Sequence, residues 1–241
     1  MHQQTIKPVS ILYEDNHLLV VEKPVNIPTQ ADASGDMDLL SLLKQDLKIR
    51  YQKPGDVYLG LVHRLDRPVG GVMVFAKTSK AAARLSEQVR TKSLVRIYLA
   101  VLHGTPKPAK GRLEHYLKKD RAANMVKVVN PSAGNGKQAI LEYSVLEEGE
   151  MKALFSLVQV QLLTGRSHQI RVQFSSIGHP LFGDQKYGAE VNKPGQQIAL
   201  WSHEIRFLHP TKKEEMVFQS HPPDQYPWNI FSSIELYAPY L

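Results

Sequence analysis

The most informative segment of the chain is Leu61-Val62-His63-Arg64-Leu65-Asp66-Arg67-Pro68-Val69-Gly70-Gly71-Val72-Met73-Val74-Phe75-Ala76-Lys77. A polar loop here leads into an apolar run that we predict to be a buried strand. Asp66 lies between two arginines, whose positive charges favour a charged carboxylate. A charged carboxylate at a glycine-flanked turn can act as a nucleophile or a base. The alternative interpretation is an ion pair that only shapes the loop.

A second informative segment is Leu162-Leu163-Thr164-Gly165-Arg166-Ser167-His168-Gln169-Ile170-Arg171-Val172. We predict a helix from near Gly165 to before Gly178, with Thr164 as its N-cap. The free N–H groups of such a helix start, with Arg166 and His168, would favour an anion. Arg171 lies near the buried side of this helix, and a partly buried arginine needs a carboxylate. Asp66 is a candidate partner, and a surface acid elsewhere is the alternative.

A third segment, Arg96-Ile97-Tyr98-Leu99-Ala100, is predicted to be part of a strand. A tyrosine in a strand usually packs in the sheet. Its functional interpretation is a ring that stacks on a nucleobase, or a phenol that takes part in proton transfer.

The remaining pattern predicts more strands than helices, without regular alternation between them. This order favours an α+β fold with a mixed sheet over a doubly wound parallel sheet. The predicted strands cover about 11–13, 18–21, 57–62, 72–76, 95–102, 138–146, 153–162, 198–207 and 216–220. The other predicted helices cover 36–51, with Asp36 as the N-cap, and 79–91. Residues 105–137 are expected to form hairpins and loops.

The composition points to a globular protein with an anionic partner. The chain has 241 residues, a formal net charge of +7 and no cysteine, which excludes disulfides, thiolate zinc sites and a cysteine nucleophile. Residues 84–127 hold eleven Lys and Arg against three acids, an excess suited to phosphate contacts. A solvated basic surface is the alternative. We find no targeting peptide and no long apolar run, so we expect a cytoplasmic protein.

Taken together, these motifs resemble those of the RluA-type family of RNA pseudouridine synthases. The first segment contains the family's His63-Arg64-Leu65-Asp66 motif, with Asp66 at the position of the family's catalytic aspartate. The second segment matches the later motif from Thr164 to Arg171. Further matches cover Tyr13-Glu14-Asp15, Glu22-Lys23-Pro24, the Tyr98 strand, Gly178-His179-Pro180 and Gly183-Asp184.

The resemblance implies the pseudouridine synthase fold: a mixed, largely antiparallel sheet in two lobes flanked by helices and loops, with the active-site cleft between the lobes. We expect one catalytic domain over residues 1–241, with a motif-matching core of about 11–220 and no accessory RNA-binding domain. The expected protein is a monomer that needs no metal and no cofactor. Its partner would be ribosomal or transfer RNA.

The implied reaction is isomerisation of a uridine in RNA to pseudouridine. The family resemblance makes Asp66, Tyr98 and Arg171 the catalytic candidates, and His63 is more typical of a structural residue. The RNA-binding candidates are Arg64, Arg67, Arg96, Arg166 and His168. For Arg64, scaffold support is an equal alternative.

Some residues depart from the family pattern. Gln173 stands where a histidine is common, Arg96 where a lysine is common, and Val69-Gly70-Gly71 replaces a Thr-Ser-Gly-like run. None of these departures removes a catalytic group. They concern how the protein binds its target RNA, which the family pattern does not determine here. Two other functions remain: a non-catalytic RNA-binding module on the same fold, and hydrolytic removal of a base.

Overall fold

The computed structural model describes residues 9–120, 122–150 and 154–237. Within these residues there are three α-helices: α1 (Leu39–Arg50), α2 (Ser79–Arg90) and α3 (Gln169–Ser176). The same residues form eleven strands: β1 (Ser10–Glu14), β2 (Leu18–Lys23), β3 (Gly60–Leu61), β4 (Gly70–Ala76), β5 (Val95–His103), β6 (Lys110–Asp120), β7 (Met125–Val129), β8 (Lys137–Glu150), β9 (Leu154–Leu162), β10 (Leu200–Leu208) and β11 (Glu215–Gln219).

The strands form one sheet in the order β1-β2-β4-β10-β5-β9-β8-β6-β7, with β3 paired to β4 and β11 paired to β10. The pairing of β4 with β10 is parallel, and the other strand pairs are antiparallel. This arrangement confirms the α+β prediction of a mixed, largely antiparallel sheet. The hairpin expected within 105–137 is β6–β7. The predicted strand 153–162 is β9, apart from Ala153, which lies outside the described residues.

Both faces of the sheet are covered by packed elements. Successive side chains of a strand point to opposite faces, so one strand contributes to the hydrophobic clusters on both. In β2, Leu19 and Val21 join the main hydrophobic core together with α1 and α3. Leu18 and Val20 point to the other face, into a cluster that α2 covers. No helix among the described residues has both the length and the hydrophobicity needed to cross a membrane.

Helix α1 starts later than the sequence predicts. Its N-cap is Asp38, whose carboxylate accepts a hydrogen bond from the Ser41 N–H at 3.0 Å. Asp36 was the wrong choice, because its carboxylate forms an exposed ion pair with Arg67 instead. The buried residues Leu39, Leu43 and Leu47 recur every four positions, as an amphipathic helix requires.

The predicted strand 57–62 shrinks to the two residues of β3. Its partner strand β4 is fully paired with β2 along one edge. The other edge of β4 is shared, because β10 pairs with Gly70 and Gly71 while β3 pairs with Phe75 and Ala76. Between these pairings the Val74 N–H donates to the His63 side chain, so a side chain replaces strand pairing there.

The predicted helix start at Gly165 is also wrong. Helix α3 begins at Gln169, and the residue before it, His168, has a left-handed backbone with φ of 52°. The Thr164 hydroxyl does not cap a helix, since it accepts from the Ile140 N–H and donates to Gln169 Oε1. A helix N-terminus at 165 that binds an anion is thus excluded. The predicted glycine cap at the other end is confirmed, with Gly178 at φ of 83°.

Gly71 lies where the loop with Asp66 enters the sheet. Its φ is +114°, a backbone conformation that residues with side chains rarely adopt. A Cβ at this position would collide with the backbone of Ser202 on β10. The parallel contact between β4 and β10, and with it the end of the loop, therefore requires glycine.

We predict that Gly71→Ala lowers the free energy of unfolding by about 3 kcal/mol or more, because backbone strain and a backbone collision combine. Gly55→Ala is the matched control, since Gly55 has open space around it and no positive φ. Urea denaturation of both variants checks this. Equal stability of the two variants would contradict the assigned packing of β4 against β10.

Candidate active site

A cleft of about 930 Å³ opens beside Arg96 and Tyr98 on β5. The loop before β4, residues 28–32 and residues 162–168 at the end of β9 also line it. Asp66, Arg96 and Tyr98 all line it. The cleft therefore brings together the three sequence segments that were singled out above.

The predicted pairing of Asp66 with Arg171 is present in this cleft. Arg171 Nη1 lies 3.3 Å from Asp66 Oδ2. The Asp66 side chain is 26% exposed, whereas that of Arg171 is 8% exposed. The carboxylate thus faces the cleft while its cationic partner lies behind it.

Asp184 is the stronger partner of Arg171, and the sequence analysis assigned it no role. Arg171 donates to both of its oxygens, from Nε at 2.8 Å and from Nη2 at 2.7 Å. The side chain of Asp184 is fully buried, and its Oδ1 also accepts from the N–H groups of Lys186 and Tyr187. Asp66, the candidate partner from the sequence, is therefore one of two, and the second is a buried acid rather than a surface one. The available signal was Gly183-Asp184, a motif match with no partner proposed for it.

The two carboxylates keep Arg171 charged. Burial disfavours the charged guanidinium, but the ion pairs with Asp184 and then Asp66 raise the pKa of Arg171 overall. The guanidinium also lies over the Tyr187 ring, 5.2 Å from its centroid. Arg171 is consequently a fixed positive charge beside Asp66.

Lys23 supports the loop that carries Asp66, residues 62–69, which we call the Asp66 loop. The sequence analysis did not predict this role. The Lys23 side chain is fully buried, and its Nζ donates to three carbonyls, those of Pro24 at 3.0 Å, Arg67 at 3.1 Å and Val69 at 2.7 Å. Burial lowers the pKa of Lys23 to about 7, an effect that the charge of Asp66 opposes. The carbonyls of Arg67 and Val69 accept hydrogen bonds from Nζ, so the lysine fixes the backbone on both sides of Pro68.

Two further residues immobilise the same loop. The Thr29 hydroxyl donates to the Leu65 carbonyl at 2.8 Å and accepts from the Leu65 N–H at 3.3 Å. His63 Nε2 accepts from the Val74 N–H at 3.1 Å, so its proton lies on Nδ1. Burial lowers the pKa of His63 to about 3, and the ring stays neutral. His63 therefore has the structural position that the sequence favoured.

Tyr98 is on the central strand β5, in register with Val160 on β9 and Ser202 on β10. It is 4% exposed and lines the cleft near Asp66. Burial raises its pKa, while the charge of Arg96 acts in the opposite direction, so the phenol stays protonated at neutral pH. A neutral aromatic ring thus forms part of the cleft floor.

The five RNA-binding candidates all line the cleft but differ in their partners. Arg64 is exposed, and Arg67 is exposed and paired with Asp36. Arg166 is exposed and donates from Nε to the Gln138 carbonyl at 2.9 Å, while His168 Nδ1 lies 2.7 Å from the Tyr187 hydroxyl. Arg96 differs from the others because it is buried.

Gln173, one of the departures from the family pattern, lies outside the cleft. Its buried amide donates towards the carbonyls of Leu113 and Ala139 and towards His115 Nδ1. It therefore connects α3 to β6 and β8. In the described part of the chain, no group of three or more His, Asp or Glu side chains could hold a metal ion.

Comparison with known proteins agrees with this geometry. The family model described as RNA pseudouridylate synthase matches residues 17–176. The RNA pseudouridine synthase YhcT of Bacillus subtilis is 35% identical over 213 residues, which cover 88% of this chain and 68% of that protein. The ribosomal large subunit pseudouridine synthase D of Zymomonas mobilis is 33% identical over 90% of this chain and 70% of its own length.

Solved structures show the same fold. The human RNA pseudouridylate synthase domain containing 1 superimposes with a TM-score of 0.73 at 26% identity, over 95% of this chain and 89% of that chain. The match of the family model covers well over half of the chain, and relatives above 30% identity span most of it. The chain therefore belongs to the RNA pseudouridylate synthase family, in its RluA-type branch, and is an isomerase that converts uridine in RNA to pseudouridine.

Proposed function

We propose that this protein isomerises a specific uridine of ribosomal or transfer RNA, with the Asp66 carboxylate as the group that acts on the target nucleotide. The contact between Asp66 and Arg171 carries this proposal. It holds a carboxylate at the edge of a cleft that is large enough for a nucleotide. The buried guanidinium places a fixed positive charge beside that carboxylate.

The reaction conserves all atoms of the substrate. The bond between uracil N1 and ribose C1′ breaks, the uracil turns, and a bond forms between C5 and C1′ while the proton of C5 moves to N1. Asp66 either attacks the ribose or removes a proton from it. Tyr98 stacks on the uracil, and its neutral phenol takes part in the last proton transfer by giving its proton to N1 and recovering one from C5.

The target base has to leave its stack to reach Asp66, at a cost of a few kcal/mol. Loops of RNA, where bases are already splayed, lower that cost and are the favoured substrates. Arg64, Arg67, Arg166 and His168 line the cleft and supply contacts to the RNA backbone. The names of relatives such as large subunit pseudouridine synthase D favour ribosomal RNA. We place the enzyme in the cytoplasm as a monomer.

The two alternative functions considered in the sequence analysis predict different outcomes for the RNA. A non-catalytic RNA-binding module would leave bulk RNA unchanged, and hydrolytic base removal would release free uracil. An assay on RNA transcribed without pseudouridine separates all three. Mapping of pseudouridines in total RNA from cells with and without this gene identifies the target.

We predict that Asp66→Asn abolishes pseudouridine formation, lowering the rate by about 1,000-fold or more, because the amide can neither attack nor take a proton. Asp46→Asn is the matched control, since Asp46 is an exposed carboxylate on α1 that pairs with Arg50 away from the cleft. Tritium release from RNA carrying 5-tritiated uridine measures the rate. Full activity of Asp66→Asn, with the control also active, would refute the catalytic role.

We also predict that Arg171→Met lowers the free energy of unfolding by about 3–5 kcal/mol, because it leaves the buried charge of Asp184 without its partner. Adding Asp184→Asn should recover part of this loss, since it removes the stranded charge. Urea denaturation of the two single variants and the double variant checks the coupling. Strictly additive losses would contradict an energetic link between Arg171 and Asp184.

A further inference from the structure

Arg96 is a buried charge without a partner. It is 7% exposed, its Nε has no hydrogen-bond partner, and its guanidinium forms no ion pair with any described residue. Arg171, the other buried arginine in the described ranges, pairs with two carboxylates. A buried charge is normally paired, because leaving it alone sacrifices its hydration. The described residues therefore supply no anion to Arg96.

The position of Arg96 directs its guanidinium to the cleft. Arg96 and Tyr98 are two residues apart on β5, so both side chains point to the same face of the sheet. The opposite wall is Gly165, where a Cβ would lie 2.8 Å from Arg96 Nη1. The absence of a side chain at Gly165 leaves the room that the guanidinium occupies beside the cleft.

The side chains around Arg96 supply no negative charge. His63 is neutral, and its Nδ1–H is a second buried donor without a partner. Tyr98 is a protonated phenol, and Asp66 is already engaged by Arg171. Burial and then the charge of Arg96 lower the pKa of His63, which shows that the two groups are neighbours. An anion that pairs with Arg96 therefore has to come from a bound molecule.

We propose that Arg96 binds a phosphodiester group of the RNA backbone next to the target uridine. This inference rests on the proposed function, which makes RNA the occupant of the cleft. A guanidinium binds two oxygens of one phosphate through parallel hydrogen bonds, and such pairs are strong where water is excluded. Because Arg96 adjoins Tyr98, the phosphate it binds is one that flanks the nucleotide whose base stacks on that ring.

The test measures the recognition of phosphate charge at this one position. The probes are the trinucleotide UpUpU and its uncharged methylphosphonate analogue, bound to protein carrying Asp66→Asn so that no turnover occurs. Nuclear magnetic resonance titration gives both affinities. We expect the parent protein to prefer charged UpUpU, and Arg96→Met to reduce that preference by about 10-fold or more, as for the loss of a charged hydrogen bond.

Arg84→Met is the matched control. It removes the same charge from helix α2, where Arg84 donates to the Pro210 carbonyl outside the cleft lining. It should keep the full preference for charged UpUpU. An undiminished preference in Arg96→Met, or no preference in the parent protein, would overturn the proposal. So would inorganic phosphate that displaces UpUpU at equal concentration, because it would indicate a site for free phosphate.

Thermal stability provides a second readout, because a structural role of Arg96 and a ligand-binding role predict different changes in the melting temperature of Arg96→Met. Removing an unpaired buried charge should leave the melting temperature of Arg96→Met equal to or above that of the parent protein. A clearly lower melting temperature would mean that Arg96 supports the free fold, and would overturn the argument. An active Asp66→Asn enzyme would reject the catalytic proposal alone, since the UpUpU titration does not depend on turnover.

Discussion

Arg171 contacts two carboxylates with one planar guanidinium, and the site is organised around that fork. Nε and Nη2 are committed to the buried Asp184, which leaves Nη1 for the partly exposed Asp66. The two contacts have different consequences. The contact with Asp184 fixes the direction of the guanidinium, and the contact with Asp66 places a positive charge next to a carboxylate that faces the cleft.

The Asp66 loop is also fixed by contacts other than the one with Arg171. Three parts of the chain fix this loop: Lys23 at the end of β2, Thr29 before α1 and the backbone of Gly71 in β4. A loop that is immobilised in this way presents its carboxylate without further ordering when a nucleotide arrives. Preorganised groups are more effective in catalysis because no reorganisation accompanies the reaction. The buried lysine, the Thr29 hydroxyl and the glycine at position 71 therefore all hold the same loop.

Local signals were sufficient for much of this structure. An apolar run with imperfect alternation identified the strand that holds Tyr98, and Gly178 marked the end of α3. The start of α3 was not predictable, because the left-handed backbone of His168 accompanies a hydrogen bond to Tyr187, 19 residues away. The same is true of Asp184, since two carboxylates compete for Arg171 and only the folded chain shows which one is buried.

The ion pair between Asp66 and Arg171 joins residues that are 105 positions apart in the chain. Asp184 follows still later, so a ribosome has to release most of the chain before this carboxylate meets its guanidinium. Contacts of such high sequence separation form late and slow the folding of a sheet protein. Fragments of the newly made chain can therefore hold secondary structure without any competence to modify RNA, and activity arises only when Arg171 has joined Asp66 and Asp184.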